Sequence, residues 1–268
     1  MLIRRSPTQV AGPLLVLLVL AGCAEAPVAS APETAASSAA ASSTPGPTET
    51  PVSAEALTEV AELIALGGRA KPYSAQMNVR SLVDGQLGAV MSGRMNFNTP
   101  DETPMTGRLT VRTTALDSGE PPMAVEEVFS KTGSFVRTMA NGTAPPGLWK
   151  RVPTPAGGGK PMADGADYAR ALLLAGPSAV KGQEKQGGVL ATRLSGQIKT
   201  EQVRTIEAGL YGRLREANVD DFACDIWIDP AGRIVRLEQW IRMQGRSAHN
   251  VMTMSTFRGP VTVKAPTD

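Results

Sequence analysis

The stretch DFACDIWIDPAGRIVR at residues 221–236 consists of two runs of strand-forming residues on either side of a Pro-Ala-Gly turn. In the first run the apolar residues occupy every second position, at Phe222, Cys224, Ile226 and Ile228. A period of two predicts a β-strand with one buried face, and the turn predicts that the second run folds back beside it. We therefore expect an antiparallel hairpin with strands at 221–229 and 233–243, and with Cys224 on its buried face.

Hairpin patterns of the same kind fill most of the chain beyond residue 53. Alternation predicts strands at 73–83 and 87–97, joined by an Asp-Gly turn, and further strands at 105–115, 123–130, 134–139, 189–198 and 247–257. Helical spacing predicts a helix from a Ser53 cap to a stop at Gly67-Gly68, a short helix over 167–175, and a helix from Thr200 to Leu214. Hairpins with a few interleaved helices indicate an α+β fold built on an antiparallel sheet.

The first 22 residues have the organisation of an export signal. Arg4 and Arg5 precede an apolar stretch over 11–20 that is too short to span a bilayer, and Leu-Ala-Gly-Cys follows at 20–23. This tetrad resembles the bacterial lipobox, which implies cleavage between Gly22 and Cys23 and a diacylglyceryl and palmitate modification of Cys23. An ordinary secreted protein with a cysteine near its cleavage site by chance is the alternative. Twin-arginine export fits poorly, because Ser-Pro follows the arginines.

Residues 23–52 form the lipidated N-terminus and a tether in this interpretation. The segment is rich in Ala, Ser, Thr and Pro and has no apolar periodicity, so we expect it to be disordered. A flexible coil of this length would hold a folded domain ~30 Å from the membrane on average. O-glycosylation of the tether is an alternative role. Residues 53–268 then form one folded domain.

Composition and charge exclude several classes of function. The chain has 27 basic and 25 acidic residues, and removal of Arg4 and Arg5 with the signal leaves 25 of each, so no excess positive charge would attract nucleic acid. Two cysteines and one histidine leave almost nothing for a Cys/His metal site. We expect no metal and no cofactor. The aspartates at 220, 221, 225 and 229 lack the spacing of a calcium loop, and we interpret them as a solvated strand face.

Candidate catalytic groups are sparse. Lipidation of Cys23 would leave Cys224 as the one thiol, which we interpret as an inert apolar side chain. His249 begins a polar strand without a local partner that would make it a base or a ligand. The Gly-Gly-Gly-Lys run at 157–160 lacks the leading glycine of a phosphate-binding loop, and Pro161 replaces its Ser or Thr. We expect the protein not to be an enzyme.

The order of these segments resembles that of a known lipoprotein family. A lipobox and tether precede a helix, a Met-rich strand meander, a Trp-Lys pair at 149–150, a short helix, a strand leading into a helix through Leu-Ser-Gly-Gln at 194–197, and the hairpin D-x-W-I-D-x-x-G-R-I-V-R at 225–236. This pattern resembles the actinobacterial LppX/LprG-type lipoproteins and their LolA/LolB-like relatives. The resemblance implies a curved antiparallel sheet, an incomplete half-barrel, with helices packed over its concave face around an apolar cavity. It also implies binding of acylated lipids and supplies no catalytic residue.

Methionines on the first strands support such a cavity independently. Met is flexible and polarisable, so it suits surfaces that accept variable apolar ligands, and small residues at 75, 89, 93 and 107 share the same strand face and leave room beside the thioethers. The alternative is that these methionines only fill gaps in an ordinary core and line no cavity. The candidate cavity-lining residues are Met77, Val79, Met91, Met95, Met105, Leu109 and Val111.

These observations predict a lipid-anchored protein on the outer face of the cytoplasmic membrane. Ala-, Gly-, Pro- and Arg-rich composition suggests a high-GC actinobacterial source. The expected function is binding of the acyl chains of a lipid, glycolipid or lipoglycan, as carrier or chaperone in envelope lipid transport, by a monomer that hands its cargo to a membrane transporter. The alternative is a non-enzymatic scaffold or sensor ectodomain with the same fold and a filled core. A secreted hydrolase would need a catalytic constellation that the sequence does not offer.

Overall fold

The structure, a computed structural model, describes residues 54–98, 106–114, 122–139, 146–152 and 165–267. Within these residues the chain forms eleven strands and four α-helices. The strands are β1 (Tyr73–Val83), β2 (Gln86–Phe97), β3 (Gly107–Thr113), β4 (Met123–Ser130), β5 (Gly133–Thr138), β6 (Lys150–Val152), β7 (Val180–Gln186), β8 (Val189–Lys199), β9 (Asp221–Ile228), β10 (Ile234–Met243) and β11 (Arg246–Arg258). The helices are α1 (Ala54–Arg69), α2 (Gly165–Leu173), α3 (Thr200–Ile206) and α4 (Ala208–Glu216), and a 3₁₀ turn at Pro177–Ala179 precedes β7.

All eleven strands belong to one antiparallel sheet in the order β6-β5-β4-β3-β2-β1-β11-β10-β9-β8-β7. Pairing of β1 with β11 joins a meander from the first half of the chain to a meander from the second half. The sheet does not close, because β6 and β7 are its two edges. The α+β half-barrel expected from the sequence is confirmed.

The helices pack on the end of the sheet formed by β7–β10. Helix α2 lies against β8, β9 and β10, α3 contacts β8 and α2, and α1 contacts α2 and β7. Their apolar faces bury a core with the inward side chains of the strands beneath them, which is where most of the free energy of folding arises. No helix in the described part of the chain is long and apolar enough to cross a membrane. The fully buried members of this core include Leu172, Leu194, Ile198, Leu210, Leu214 and Ile226.

Helix α1 ends one residue beyond the predicted stop at Gly67-Gly68. It continues through Gly67 and Gly68 to Arg69, and Ser53 lies outside the described residues. An added Cβ at Gly67 would overlap the carbonyl oxygen of Gly232 in the β9–β10 turn, and Gly232 itself has φ +77°. The amide of Asn98 also donates a hydrogen bond to the Gly67 carbonyl at 2.5 Å. Gly67 therefore lies in the last turn of the helix and also permits the close contact of two backbones.

The second half of the chain corrects two further expectations. Strand β7 was missed because Val180–Gln186 is mostly polar and has no alternating apolar face, as suits an edge strand. The helix predicted from Thr200 is two helices, because Glu207 has an extended backbone with φ −150° and ψ 89°. Lys199 rather than Thr200 is the N-cap residue, and its N–H donates to the Gln202 side chain at 2.8 Å. Strand β6 is also present just after Trp149, where the sequence analysis predicted no strand.

Candidate functional site

Cross-strand pairing places the candidate cavity-lining residues on one face of the sheet. Met77 pairs with Gly93 and Val79 with Met91 between β1 and β2, and Met91 pairs with Val111 between β2 and β3. Directly paired residues point to the same side of a sheet, and residues two apart along a strand share that side. The same logic places Met95 and Leu109 there. We refer to this side, on which the helices pack, as the concave face.

The described candidates are all buried. Six of the seven are 0–6% exposed and belong to one continuous apolar core, and these are Met77, Val79, Met91, Met95, Leu109 and Val111. Met105 lies outside the described residues, as do Gly22, Cys23 and the tether over 23–52. That the six line a ligand cavity stays a prediction, because burial alone is equally typical of a filled core.

The methionine surface extends further than the sequence analysis proposed. Met254 pairs with Met77, and Met252 pairs with Val79, where β11 joins β1. Both are buried members of the same core. The alternation Val-Met-Thr-Met at 251–254 was a readable signal, but the register between β1 and β11 was needed to join them to the first meander. Methionines therefore lie on three adjacent strands, β11, β1 and β2.

Small residues on this face leave less room than the sequence suggested. An added Cβ at Gly107 would overlap the Sδ atom of Met95, so the thioether already occupies that space. An added Cβ at Gly93 would overlap the backbone oxygen of Arg108 on the neighbouring strand. These two glycines permit close packing of β2 on β3, with Met95 filling the gap.

A buried carboxyl lies on the concave face beyond the methionines. Glu127 of β4 pairs with Leu109 of β3 on one side and with Val136 of β5 on the other. It is 8% exposed. No hydrogen bond or ion pair joins it to another described residue, and its oxygens are not among the fully buried unpaired atoms. Burial raises the pKa of Glu127 to about 7, because the charged form loses its hydration. The sequence analysis did not single it out, although its alternation with Val125 and Phe129 placed it on an inward face.

A second, half-buried carboxyl lies under the helices. Glu207, at the junction of α3 and α4, accepts a hydrogen bond from the hydroxyl of Tyr168 at 3.1 Å and lies 4.0 Å from the Arg213 guanidinium. Burial raises the pKa of Glu207, while the Tyr168 hydrogen bond and the Arg213 charge oppose that shift. Burial and the nearby Glu207 also raise the pKa of Tyr168. This carboxyl is part of the contact between α2 and α4.

A row of polar side chains crosses the concave face from β1 to β10. Ser81 on β1 pairs with Asn250 on β11, which pairs with Gln239 on β10, and Gln239 pairs with Cys224 on β9. The Nδ2 atom of Asn250 is buried and has no hydrogen-bond partner in the described part of the chain. The middle of this face is therefore less apolar than its methionine flank.

The candidate catalytic groups are placed apart. Cys224 is fully buried on the concave face as expected, and burial raises the pKa of its thiol, with the charge of Asp225 adding to the effect. His249 has no partner among its sequence neighbours, but the fold brings Glu238 of β10 to it: its Nε2 lies 2.9 Å from Glu238 Oε2, and its ring stacks on Trp240 at 4.8 Å between centroids. His249 lies on the opposite, convex face, because its chain neighbours Ala248 and Asn250 are the ones that face inward.

The aspartates interpreted as a solvated strand face divide into two pairs: Asp220 and Asp221 are exposed as expected, but Asp225 and Asp229 are buried. Asp225 is 5% exposed and pairs with Arg193, while Asp229 is 1% exposed and pairs with Arg233 at 2.6 Å. Asp229 also accepts hydrogen bonds from the backbone N–H groups of Ala231 and Arg233, which explains the D-x-x-G-R sequence as a turn that holds itself together. Among the described residues no group of three His, Cys, Asp or Glu side chains could hold a metal ion.

Comparison with known proteins places the fold. No family model matches the chain, and no curated protein matches it. LprF from Mycobacterium bovis is structurally similar, with a TM-score of 0.52 and 17% identity over 82% of this chain and 100% of that one. Lipoprotein LppX from Mycobacterium tuberculosis has a TM-score of 0.41 and 17% identity over 79% of this chain and 100% of that one. A putative outer membrane lipoprotein-sorting protein domain from Vibrio parahaemolyticus has a TM-score of 0.27 and 11% identity over 77% of this chain and 93% of that one. The likeness to LprF confirms the fold that the LppX/LprG-type resemblance implied.

Proposed function

We propose that this chain is a lipid-anchored surface protein that binds the acyl chains of a lipid, glycolipid or lipoglycan between its concave face and its helices, as a carrier or chaperone in envelope lipid transport. The observation that carries the proposal is the methionine surface on three adjacent strands, formed by Met252 and Met254 of β11, Met77 of β1, and Met91 and Met95 of β2. Cys23 would supply the anchor through its lipobox, with two or more acyl chains giving stable attachment. The fold shared with LprF supports the architecture.

The methionine surface suits acyl chains for a physical reason. Each methylene that leaves water contributes about 0.8 kcal/mol, so an acyl chain gains most of its binding free energy from burial alone. Unbranched thioethers rotate about three bonds and adapt to chains of different length and branching. The six described candidates are 0–6% exposed here, so an acyl chain enters by displacing side chains and by movement of the helices. The proposal includes no chemical step, because Cys224 is buried and His249 lies on the convex face.

A second candidate function is favoured by that same burial. A concave face in which Met95 fills the space above Gly107 is also what a scaffold or sensor ectodomain with a filled core would show. The two functions differ in one measurable property: whether the purified protein takes up apolar molecules in a saturable manner.

Native mass spectrometry distinguishes the two. The Cys23→Ser variant of the full chain would be exported from an actinobacterial host with its own signal, purified without detergent, and measured before and after organic extraction. We expect a discrete excess mass that extraction removes and that identifies the class of cargo. A clean apo mass from cells rich in envelope lipids, with no saturable uptake of a fluorescent apolar probe, would favour the scaffold.

A matched pair of variants links the result to the methionine surface. Met91→Phe places a stiff ring on the concave face and should lower the lipid-bound fraction, because a ring adapts less than a thioether. Met123→Phe makes the same change on the same face but outside the methionine surface, at the start of β4 where the residue is 46% exposed, and should leave that fraction unchanged. Equal effects of the two variants would separate the bound lipid from this surface.

A further inference from the structure

Glu127 is a buried carboxyl without a partner in apolar surroundings. Its cross-strand neighbours are Leu109 and Val136, and its neighbours along β4 on the same face are Val125 and Phe129. All four pack in or against the main core. No hydrogen bond or ion pair to Glu127 occurs within the described ranges 54–98, 106–114, 122–139, 146–152 and 165–267. Its carboxylate oxygens are not among the fully buried side-chain atoms without a partner, so the carboxyl keeps an accessible surface through which a ligand can reach it.

The charged groups near Glu127 belong to the other face, with one exception. On the convex face Glu126 pairs with Arg137 at 2.7 Å and with Arg108 at 3.4 Å. On the concave face, the side chains of β2, β3 and β5 are apolar, hydroxyl-bearing or glycine. Besides Glu127, the one charged side chain that the described strands β2–β6 place on this face is Lys150 of β6. Lys150 pairs with Val136, one strand beyond it, and is exposed at the sheet edge. Glu127 therefore has no buried counter-charge from β2–β6.

The protonated form of the Glu127 carboxyl requires a hydrogen-bond acceptor. Burial raises the pKa of Glu127 to about 7, so at pH 6 most of the protein carries an uncharged carboxyl. An uncharged carboxyl has one O–H donor and retained acceptor capacity. Leu109, Val125 and Val136 can accept no hydrogen bond through their side chains. The missing partner is an acceptor that can itself be buried at low cost.

We infer that Glu127 is the polar anchor of the acyl-binding site, where its protonated carboxyl donates a hydrogen bond to the carbonyl oxygen of the ester that joins an acyl chain to its head group. This inference rests on the proposed function and specifies the ligand class of the same concave face. An ester carbonyl fits because it is a neutral acceptor attached to a hydrocarbon chain, so its burial costs far less than that of an ion. The chain then runs from Glu127 across β3 and β2 towards the methionine surface, since Leu109 and Met91 lie on the same face.

A cationic ligand is the chemical alternative, and the site argues against it. An ammonium group would keep Glu127 ionised, but both ions would then lose their hydration, and their attraction seldom repays that loss without further hydrogen bonds. The described strands around Glu127 offer no such bonds on the concave face beyond the hydroxyls of Ser134 and Thr138 on β5. The two ligand classes predict opposite responses to pH, which makes the assignment testable.

Displacement of a bound fluorescent apolar probe, N-phenyl-1-naphthylamine, would measure the binding of three ligands to the delipidated full-chain Cys23→Ser protein between pH 6 and pH 8. Monolauroylglycerol carries the ester, dodecane lacks it, and dodecylamine is a cation. We expect the affinity for monolauroylglycerol to fall about tenfold from pH 6 to pH 8, as the protonated fraction falls. The affinity for dodecane should not change with pH.

Three variants complete the test. Glu127→Gln retains a neutral donor and should bind monolauroylglycerol equally at pH 6 and pH 8, whereas Glu127→Leu should bind it no better than dodecane at either pH. Glu126→Gln makes the same change one residue away on the convex face and should keep the pH dependence of the parent protein. Both Glu127 variants remove a buried ionisable group, so we expect them to fold.

The outcomes separate this inference from the proposed function. Binding of all three ligands without pH dependence, and without an effect of Glu127→Leu, would overturn the role of Glu127 while leaving the carrier function intact. Stronger binding of dodecylamine as pH rises, with no pH response of monolauroylglycerol, would assign Glu127 as a counter-ion and overturn the ester anchor. Failure of every ligand and of the probe to bind would overturn the carrier function and the anchor together.

Discussion

The two carboxyls on the concave side of this sheet, the buried Glu127 and the half-buried Glu207, have different surroundings. Glu207, under the helices, accepts a hydrogen bond from Tyr168 and faces Arg213, whereas Glu127 lies among aliphatic side chains with no partner in the described residues. Burial raises the pKa of both. The partners of Glu207 are all within the protein, so its role is explained by helix packing. Glu127 lacks them, and a ligand is the partner that would complete it.

The apolar side chains also differ between the core under the helices, near Glu207, and the methionine surface on β11, β1 and β2. Under the helices, β8 and β9 present branched residues such as Leu194, Ile198 and Ile226, which lose few rotamers and pack in one arrangement. Across β11, β1 and β2 the concave face is rich in methionine, which can repack. The helix-covered region is built to hold one structure, and the methionine surface is built to tolerate several.

Truncation should expose this difference most strongly. Ile226→Ala, in the helix-covered region, should lower the free energy of unfolding by about 2–5 kcal/mol, because rigid neighbours cannot fill the cavity. Met77→Ala removes a side chain that is just as buried, but its thioether neighbours can move into the space, so its cost should lie at the low end of that range. Urea unfolding of both variants measures the difference. Equal losses would mean that the methionine surface is as rigid as the helix-covered core.

The next largest effect should come from the unpaired carboxyl. A rise in the pKa of Glu127 from its ordinary value of 4.5 to about 7 means that folding opposes ionisation by about 3 kcal/mol. The folded state therefore loses this stability as pH rises from 4.5 to 7, and the loss is complete above pH 7. Glu127→Gln removes the loss, so it should stabilise the protein by up to about 3 kcal/mol at pH 8 and have no effect below pH 4.5. Urea unfolding at pH 4, 6 and 8 measures the trend.

Glu207→Gln is the matched comparison. The amide oxygen of Gln can still accept the Tyr168 hydrogen bond, and the interaction lost with Arg213 spans 4.0 Å, so the change at pH 8 should stay within about 1 kcal/mol. A pH-dependent gain as large as that of Glu127→Gln would show that the partners of Glu207 do not compensate its burial. The contrast between the two carboxyls would then disappear.

The sequence predicted the fold best where local pattern and tertiary environment agree. The β1–β2 hairpin has strict alternation and an Asp-Gly turn, and the structure places its strands within one residue of the expected bounds. Strand β7 has no apolar face that local pattern could reveal. It is an edge strand held by its hydrogen bonds to β8 alone, so its position depends on β8 and not on its own apolar residues. The sequence predicted Gly67 as part of a helix stop, but its contact with Gly232, distant in sequence, is invisible to local pattern.

The site was predicted in part for the same reason. Six lining candidates fell on one face because alternation determines side within a strand. Met252 and Met254 joined them through a pairing between the two ends of the domain, which no local pattern specifies. Glu127 was overlooked because an adjacent pair of glutamates suggests a solvated face, although alternation puts one of the two inward. Buried polar residues inside an alternating pattern are therefore worth separate inspection.

The last contrast concerns the range of ligands rather than stability. Replacing Met77, Met91 and Met95 together by Leu keeps volume and polarity, and each exchange should alter the free energy of unfolding by less than about 1.5 kcal/mol. A branched side chain is stiffer, so the variant should retain straight acyl chains but lose those of greater length or with methyl branches. Competition of lauroyl, stearoyl and methyl-branched monoacylglycerols against the apolar probe would show a narrowed range in the variant. An unchanged range would assign the methionines to ordinary gap-filling, and the tolerance for varied chains would then have to come from movement of the helices.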